Sequence, residues 1–178
     1  VPDLSLGEYY FLEKTPAEGY FANSEKAYIN VKNSSEATVT VTNAPICSIT
    51  LVKTDRDTGE PLYGAWFELR DSTDNVLGTY ETDVNGTFVI NGLAAGNYKL
   101  IEFVPPTGHY IGGNSTHEIT LSSTTPNKTI YTTNAALPTV SIVKVSSLTN
   151  EIISGAVVDI LQDDKVVWDD MVLTDEMV

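Results

Sequence analysis

The feature that most constrains the fold of this chain is an internal repeat. The stretch LSLGEYYFLEKTPAEGY near the start recurs in the middle as LAAGNYKLIEFVPPTGHY, with one residue inserted before the last tyrosine. This alignment superposes Glu13 on Glu102. Further along each copy, VTVTNAP aligns with TIYTTNAALP and superposes Asn43 on Asn134. Repetition on this scale indicates one structural unit used more than once.

The other part of the repeating unit also occurs twice. The stretch SITLVKTDRDTGEPLYGAWFELRD is echoed near the end by VSIVKVSSLTNEIISGAVVDILQD, which superposes Lys53 on Lys144. The order along the chain is therefore back half, whole unit, front half. We predict the C-terminal half of a domain over residues 1–45, a complete domain over 46–137 and the N-terminal half of a domain over 138–178.

The complete unit has the pattern of an all-β fold. Short runs rich in Thr, Val, Ile and Tyr are separated by turn signals such as Asn85-Gly86, and no stretch has a helical period. Seven short strands at this spacing predict a β-sandwich. The predicted strands span 47–54, 63–70, 76–82, 86–91, 96–103, 117–122 and 127–134.

The composition excludes several classes of partner. A formal net charge of -14 with only 10 Lys and Arg predicts binding neither to nucleic acid nor to an anionic membrane surface. No segment has the apolar length of a membrane span, so we expect no membrane insertion. The single cysteine, Cys47, excludes an internal disulfide and is expected to be a small buried or linker thiol. Disulfides are the staples expected of a small extracellular domain, so another kind of staple is worth looking for in this chain.

Three polar residues of the complete unit continue faces that are otherwise apolar. Side chains alternate across a strand, so residues two positions apart share a face. By this rule Lys53 lies on the same face as Ile49 and Leu51. Glu102 in the fifth strand and Asn134 in the last strand likewise continue the inward faces of their strands. The same pattern predicts inward polar residues in the flanking copies: Glu13, Asn43 and Lys144.

Two interpretations of the inward polar residues follow from the residues alone. Burying a charge is costly unless it is paired, and burial shifts the pKa of Lys or Glu toward the neutral form. One interpretation is a buried salt bridge beside an amide, or strand-end residues that reach water. The other is chemical: a neutral lysine amine attacks the asparagine side chain while a protonated glutamate stabilises the oxyanion and relays protons to the leaving ammonia. The product is a Lys–Asn amide bond across the sandwich.

The segments LVKTD, GEPLYGAWFELRD, TDVNGTF, GLAAGNYKLIEFVPPTGHY and YTTN resemble a known family. They are similar to the B-type (CnaB) repeat domains of Gram-positive collagen adhesins and to the SpaA-type domains of sortase-assembled pilins. The resemblance covers residues 46–137 and implies tandem prealbumin-like (Ig-like) β-sandwich domains. It also implies an autocatalytic isopeptide bond between Lys53 and Asn134, with Glu102 as the catalyst and Glu13 as its counterpart in the first half domain. No cofactor, no metal and no multiple-turnover enzyme activity are expected.

Two explanations of the flanking halves stay open. In the first, halves of neighbouring molecules complement each other head to tail, bringing Lys144 of one chain to Glu13 and Asn43 of the next and forming a second cross-link. In the second, the chain is a cut from a longer tandem array. Closure within one chain is not expected, because the linkers around Pro45 and Pro138 are only a few residues long.

These inferences predict a structural stalk module of a bacterial cell-surface adhesin or pilin. We expect an extracellular location, with wall attachment and any contact to host extracellular matrix or glycan made by other parts of the protein. The expected partners are neighbouring copies of the same repeat. The alternative is a host-ligand or glycan binding module on a β-sandwich scaffold, which needs a conspicuous aromatic or charged loop cluster that the sequence does not contain. His109 and His117 lack partners at metal-ligand spacing and are predicted to be exposed.

Overall fold

All regular secondary structure in the residues that the computed structural model describes, 4–32 and 37–174, is β-strand. The predicted half domains extend into 1–3, 33–36 and 175–178, which lie outside the described residues. The chain divides into two units, Val1–Leu137 and Pro138–Val178. The strands of the first unit are β1 (Gly7–Phe11), β2 (Ala27–Val31), β3 (Cys47–Asp55), β4 (Trp66–Asp71), β5 (Val76–Glu81), β6 (Thr87–Leu93), β7 (Gly96–Val104), β8 (His109–Tyr110), β9 (Thr116–Leu121) and β10 (Asn127–Ala136). The second unit contributes β11 (Val157–Gln162) and β12 (Lys165–Val172).

The prediction of an all-β sandwich is confirmed for the middle of the chain. Two four-stranded sheets, in the orders β6-β3-β10-β8 and β5-β4-β7-β9, form its layers. All seven predicted strands are present, and the short strand β8 was not predicted. Strands β3 and β10 pair in parallel, whereas the other ladders of these two sheets are antiparallel. The first and last long strands of this sandwich therefore run side by side in the same direction.

The core lies between the two sheets. Strand β3 alternates fully buried and half-buried residues along its whole length, as expected for a strand with one face on a core. Its inward side chains pack with those of β4, β7 and β9 in one cluster. The fully buried apolar members include Ile49, Leu51, Phe67, Leu100 and Ile119.

A tight turn before β6 fixes the backbone of β3. Gly86 has a φ of 71°, a left-handed conformation that favours glycine. The Gly86 carbonyl accepts the N–H of Lys53 at 2.8 Å. A side chain added at Gly86 would collide with the Lys53 carbonyl oxygen and would place its Cβ 2.9 Å from the backbone nitrogen of Leu62. The turn therefore positions Lys53 through its main chain.

Two strands expected in the flanking copies are not formed. The structure assigns no strand to residues 37–44, which contain Asn43, or to residues 137–144, which end at Lys144. In the complete sandwich the equivalents of these segments are β10 and β3, which pair with each other. Among the described residues neither segment pairs with a neighbouring strand in the way that β3 and β10 pair with each other, so no ladder forms along it.

Two aspartates organise turns at the ends of strands. Asp55 Oδ1 accepts the backbone N–H groups of Asp57 and Thr58 at 2.8 Å. Asp71 Oδ1 accepts both the N–H and the hydroxyl of Thr73 at 2.8 Å. The N–H of Thr58 holds the pKa of Asp55 at about 2, and the hydroxyl of Thr73 holds the pKa of Asp71 at about 2. Hydrogen bonds to an ionised carboxylate favour that ionised form.

Acid is therefore expected to destabilise the first unit. Both carboxylates have folded pKa values below the ordinary 3.8, so their contribution is complete above 3.8 and is lost as the pH falls through about 2. The urea concentration at the midpoint of unfolding should be lower at about pH 2.5 than at about pH 5. Asp71→Asn removes one titrating group and should make this dependence shallower. Identical dependences in both proteins would contradict the assignment.

Candidate functional site

Lys53, Glu102 and Asn134 meet in the core of the sandwich. Lys53 on β3 and Asn134 on β10 lie on neighbouring parallel strands of one sheet, and β7 of the facing sheet supplies Glu102. Their exposed fractions are 0%, 4% and 1%. The strand alternation that keeps Ile49 and Leu51 inward also directs Lys53 into the core.

The three side chains form a closed ring of hydrogen bonds. Lys53 Nζ donates to Asn134 Oδ1 at 2.5 Å and to Glu102 Oε2 at 2.9 Å. Asn134 Nδ2 donates to the other carboxyl oxygen, Glu102 Oε1, at 2.6 Å. One carboxyl group therefore bridges the amine and the amide nitrogen, while the amine lies against the amide carbonyl.

The surroundings of this ring favour an uncharged amine. Burial lowers the pKa of Lys53 below its ordinary value of 10.5, although the hydrogen bond and the charge of Glu102 act in the opposite direction. The ring of Phe67 lies below the amine, with its centroid 5.7 Å from Nζ, and this cation–π contact acts with Glu102 against the effect of burial. An amine that has passed its proton to the neighbouring carboxylate is a nucleophile. The arrangement can therefore support attack of Nζ on the amide carbon.

The structure also brings together two residues predicted for the first half domain. Asn43 Nδ2 donates to both carboxyl oxygens of Glu13, at 2.7 and 2.8 Å. The backbone N–H of Asn23 donates to Glu13 Oε2 at 2.7 Å, and the Phe21 carbonyl accepts from Asn43 Nδ2 at 3.0 Å. Among the described residues, no lysine side chain forms a hydrogen bond or ion pair with this Glu13–Asn43 pair. Lys144 belongs to the second unit and is exposed there.

The prediction that both histidines are plain surface residues is wrong. His109 Nε2 lies 3.0 Å from Asp55 Oδ2, and both side chains are largely buried. His117 is half-buried on β9, and its Nε2 is buried without a hydrogen-bond partner in the described part of the chain. Strand alternation could have predicted the inward position of His117, because it shares a face with the buried Ile119 and Leu121.

The comparison with family models defines the class of protein. The SpaA prealbumin-like fold domain matches residues 47–136, which is just over half of the chain. The chain belongs to this family. The predicted prealbumin-like fold and the resemblance to SpaA-type domains are thereby confirmed, and the match covers nearly all of the predicted complete domain.

Several solved structures are similar to this chain, and the first described here shows the same fold. The Bacillus anthracis TIE protein matches with a TM-score of 0.53 and 20% identity over 75% of this chain. GBS52, the minor pilin of Streptococcus agalactiae, gives a TM-score of 0.47 and 21% identity over 80% of this chain and 65% of its own. The shaft pilin spaA of Lactobacillus rhamnosus GG gives a TM-score of 0.48 and 19% identity over 75% of this chain and 64% of its own.

This chain spans 26% of the TIE protein. A search of curated protein sequences gave no match. No helix long and apolar enough to cross a membrane occurs among the residues that the structure describes.

Proposed function

We propose that this chain is a structural stalk module of a Gram-positive cell-surface adhesin or pilin, stabilised by a self-formed amide bond between Lys53 and Asn134. The observation that carries the proposal is the closed hydrogen-bond ring of Lys53, Glu102 and Asn134 in the buried core. Membership of the SpaA family supports the stalk role and an extracellular location at the bacterial surface.

The proposed reaction needs no group beyond the three side chains. With the proton on the carboxyl group, the neutral amine of Lys53 attacks Cγ of Asn134, and the Nζ–Cγ bond forms. Glu102 gives its proton to Nδ2 and takes one from Nζ as the Cγ–Nδ2 bond breaks. Ammonia leaves, and the carboxyl group ends protonated, as it began. Proton transfer by a positioned carboxyl group is general acid–base catalysis.

The reaction occurs once for each molecule, so the chain is not an enzyme in the multiple-turnover sense. Its product is the protein itself, with two strands of one sheet joined covalently. Such a bond supplies the staple that a chain with a single cysteine cannot obtain from an internal disulfide.

Intact mass spectrometry under denaturing conditions tests the bond. The purified chain is expected to weigh one ammonia less than its sequence, and Glu102→Gln should restore the full mass, because the amide cannot relay the protons. Glu13→Gln is the matched control in the flanking copy and should leave the loss from the complete domain unchanged. A wild-type mass equal to that of the plain sequence would refute the proposed reaction.

A second proposal concerns the Glu13–Asn43 pair. The two side chains have the carboxyl-to-amide contact of the complete site, and they need an amine to complete it. We propose that Lys144 of a neighbouring copy supplies this amine, which joins molecules head to tail. The alternative, a longer tandem array, supplies the amine from another part of the same protein. Both make the pair an acceptor for a strand that carries a lysine.

Denaturing gels with reductant distinguish these two sources. Head-to-tail bonding is expected to give a ladder of covalent oligomers, and Lys144→Arg should abolish that ladder because a guanidinium is not a comparable nucleophile. Lys53→Arg is the matched control and should leave the ladder intact. A single monomer band in the wild-type chain would count against bonding between molecules and leave the array as the source.

A further inference from the structure

His117 carries a buried polar atom that the proposed bond chemistry has not used. Its Nε2 has no hydrogen-bond partner among the described residues. A buried polar atom left unsatisfied loses its hydrogen bonds to water without replacement, and such atoms are uncommon in folded proteins. An imidazole nitrogen in this position is therefore suited to a ligand that is present only part of the time.

The register of the sheet places His117 beside Glu102. His117 on β9 pairs with Leu100 on β7, and the backbone N–H of Glu102 donates to the Ser115 carbonyl at 2.8 Å. Leu100 and Glu102 share the inward face of β7, so His117 and Glu102 are diagonal neighbours on one face. Such neighbours are about 7–8 Å apart, within reach of long or aromatic side chains. The charges of Lys53 and Glu102 both act on the imidazole.

A surface groove is lined in part by His117. It has a volume of about 360 Å³, and its lining includes His117, Thr132, Tyr131, Gly112 and Gly113. Thr132 pairs with Lys53 and is 7% exposed, whereas Tyr131 is 76% exposed. A side chain added at either glycine would meet nothing within 4 Å. Lys53, Glu102 and Asn134 do not line the groove themselves, but His117 and Thr132 lie beside them in the sheets and form its inner wall.

We propose that His117 receives the ammonia expelled from Asn134 and directs it into this groove. The inference rests on the proposed function, because ammonia is released only if the amide bond forms. In the balanced reaction ammonia leaves as a neutral molecule with three N–H donors, and the lone pair of Nε2 accepts one of them. Ammonia held beside the new amide can attack it and reverse the reaction. Removing it from the core therefore favours the bonded product.

The electrostatics of the site suit this role. Burial is the largest cause that lowers the pKa of His117 below its ordinary value of 6.5, and it acts whether or not Lys53 and Glu102 are charged. Arg56 also lines the groove. The imidazole is consequently neutral at neutral pH, and with its proton on Nδ1 it presents Nε2 as an acceptor. His117 acts on the departing product and not on the bond-forming atoms, so it is a positioning residue.

Refolding of the full chain tests the inference. The chain recovered unfolded from inclusion bodies, with the Asn134 amide intact, is diluted from denaturant, and the fraction that has lost one ammonia is followed by intact mass. His117→Leu is expected to slow this loss by about 10-fold, less than the loss of a direct proton-transfer group costs. His117→Gln keeps an acceptor oxygen and should retain most of the wild-type rate. Glu118→Leu, on the outward face of the same strand, should match the wild type.

The outcomes distinguish the proposed Lys53–Asn134 bond from the proposed role of His117. A wild-type chain that never loses ammonia overturns both. A His117→Leu chain that bonds at the wild-type rate overturns the role of His117 and leaves the bond intact. The role of His117 is also overturned if His117→Leu and His117→Gln slow the loss of ammonia equally while unfolding at the same temperature as Glu118→Leu. In that case the shape of the side chain would matter, and its hydrogen-bond acceptor would not. If the leucine variant fails to refold, His117→Phe and His117→Asn provide the same comparison.

Discussion

Lys53→Met is expected to lower the free energy of unfolding of the sandwich by about 4–5 kcal/mol, the contribution of a cross-link that closes a loop of this length. Lys53 and Asn134 are 81 positions apart, so the bond restricts most of the domain in the unfolded chain. Methionine fills nearly the same volume without a charge, which limits the loss to the missing bond and its partners. Thermal and denaturant unfolding, with intact mass on the same samples, measure the effect.

Two further variants define the origin of that loss. Lys144→Met changes the equivalent, exposed lysine of the last copy and should change stability by no more than about 0.5 kcal/mol. Glu102→Ala should be at least as damaging as Lys53→Met, because it removes the bond and also leaves a buried amine without its carboxyl partner, which typically costs about 3–5 kcal/mol. A Lys53→Met protein as stable as the wild type would show that no covalent bond contributes.

Gly86→Ala is expected to destabilise the sandwich by more than about 4 kcal/mol, at the upper end of single-residue effects. Alanine at a φ of 71° is strained, and its Cβ would also collide with the Lys53 carbonyl oxygen. Relieving the collision requires movement of β3 or of the turn. Because the N–H of Lys53 donates to Gly86, that movement also displaces the amine. We therefore expect slower loss of ammonia as well as a lower unfolding temperature.

Gly59→Ala is the matched control for the turn. Gly59 has a φ of 77°, and no atom lies within 4 Å of an added Cβ. Its substitution should cost only the left-handed strain, about 1–2 kcal/mol, and leave bond formation unchanged. Equal destabilisation by the two alanines would mean that the contact between the turn and β3 contributes nothing beyond backbone conformation.

Strand parity accounts for most of what the sequence predicted correctly. Inward alternation along β3, β7 and β10 follows from apolar residues at every second position, and it predicts Lys53, Glu102 and Asn134 on inward faces. The internal repeat then located the same residue types in the flanking copies. These patterns are local, and a half-buried strand requires them.

The incorrect or missing predictions depend on contacts that local patterns do not encode. Residues 37–44 alternate like a strand, but no strand in the described part of the chain pairs with them, so they form none. Strand β8 has two residues and exists only because β10 extends past β3 to meet it. His117 shares the parity of its strand, yet its polar surroundings in sequence favoured a surface position. Pairing partners and the identity of a facing neighbour are tertiary properties.

The parallel pairing of β3 and β10 has a mechanical consequence. Tension applied at the two ends of the sandwich enters near Cys47 and leaves near Ala136, so it pulls two adjacent strands past each other along their length. Without a covalent bond, the eight registered pairs from Asn127–Ser48 to Asn134–Asp55 carry that load together in shear. With Nζ of Lys53 bonded to Asn134, the load passes through that single bond. The residues between the two positions, which include every other strand of the sandwich, then bear no tension.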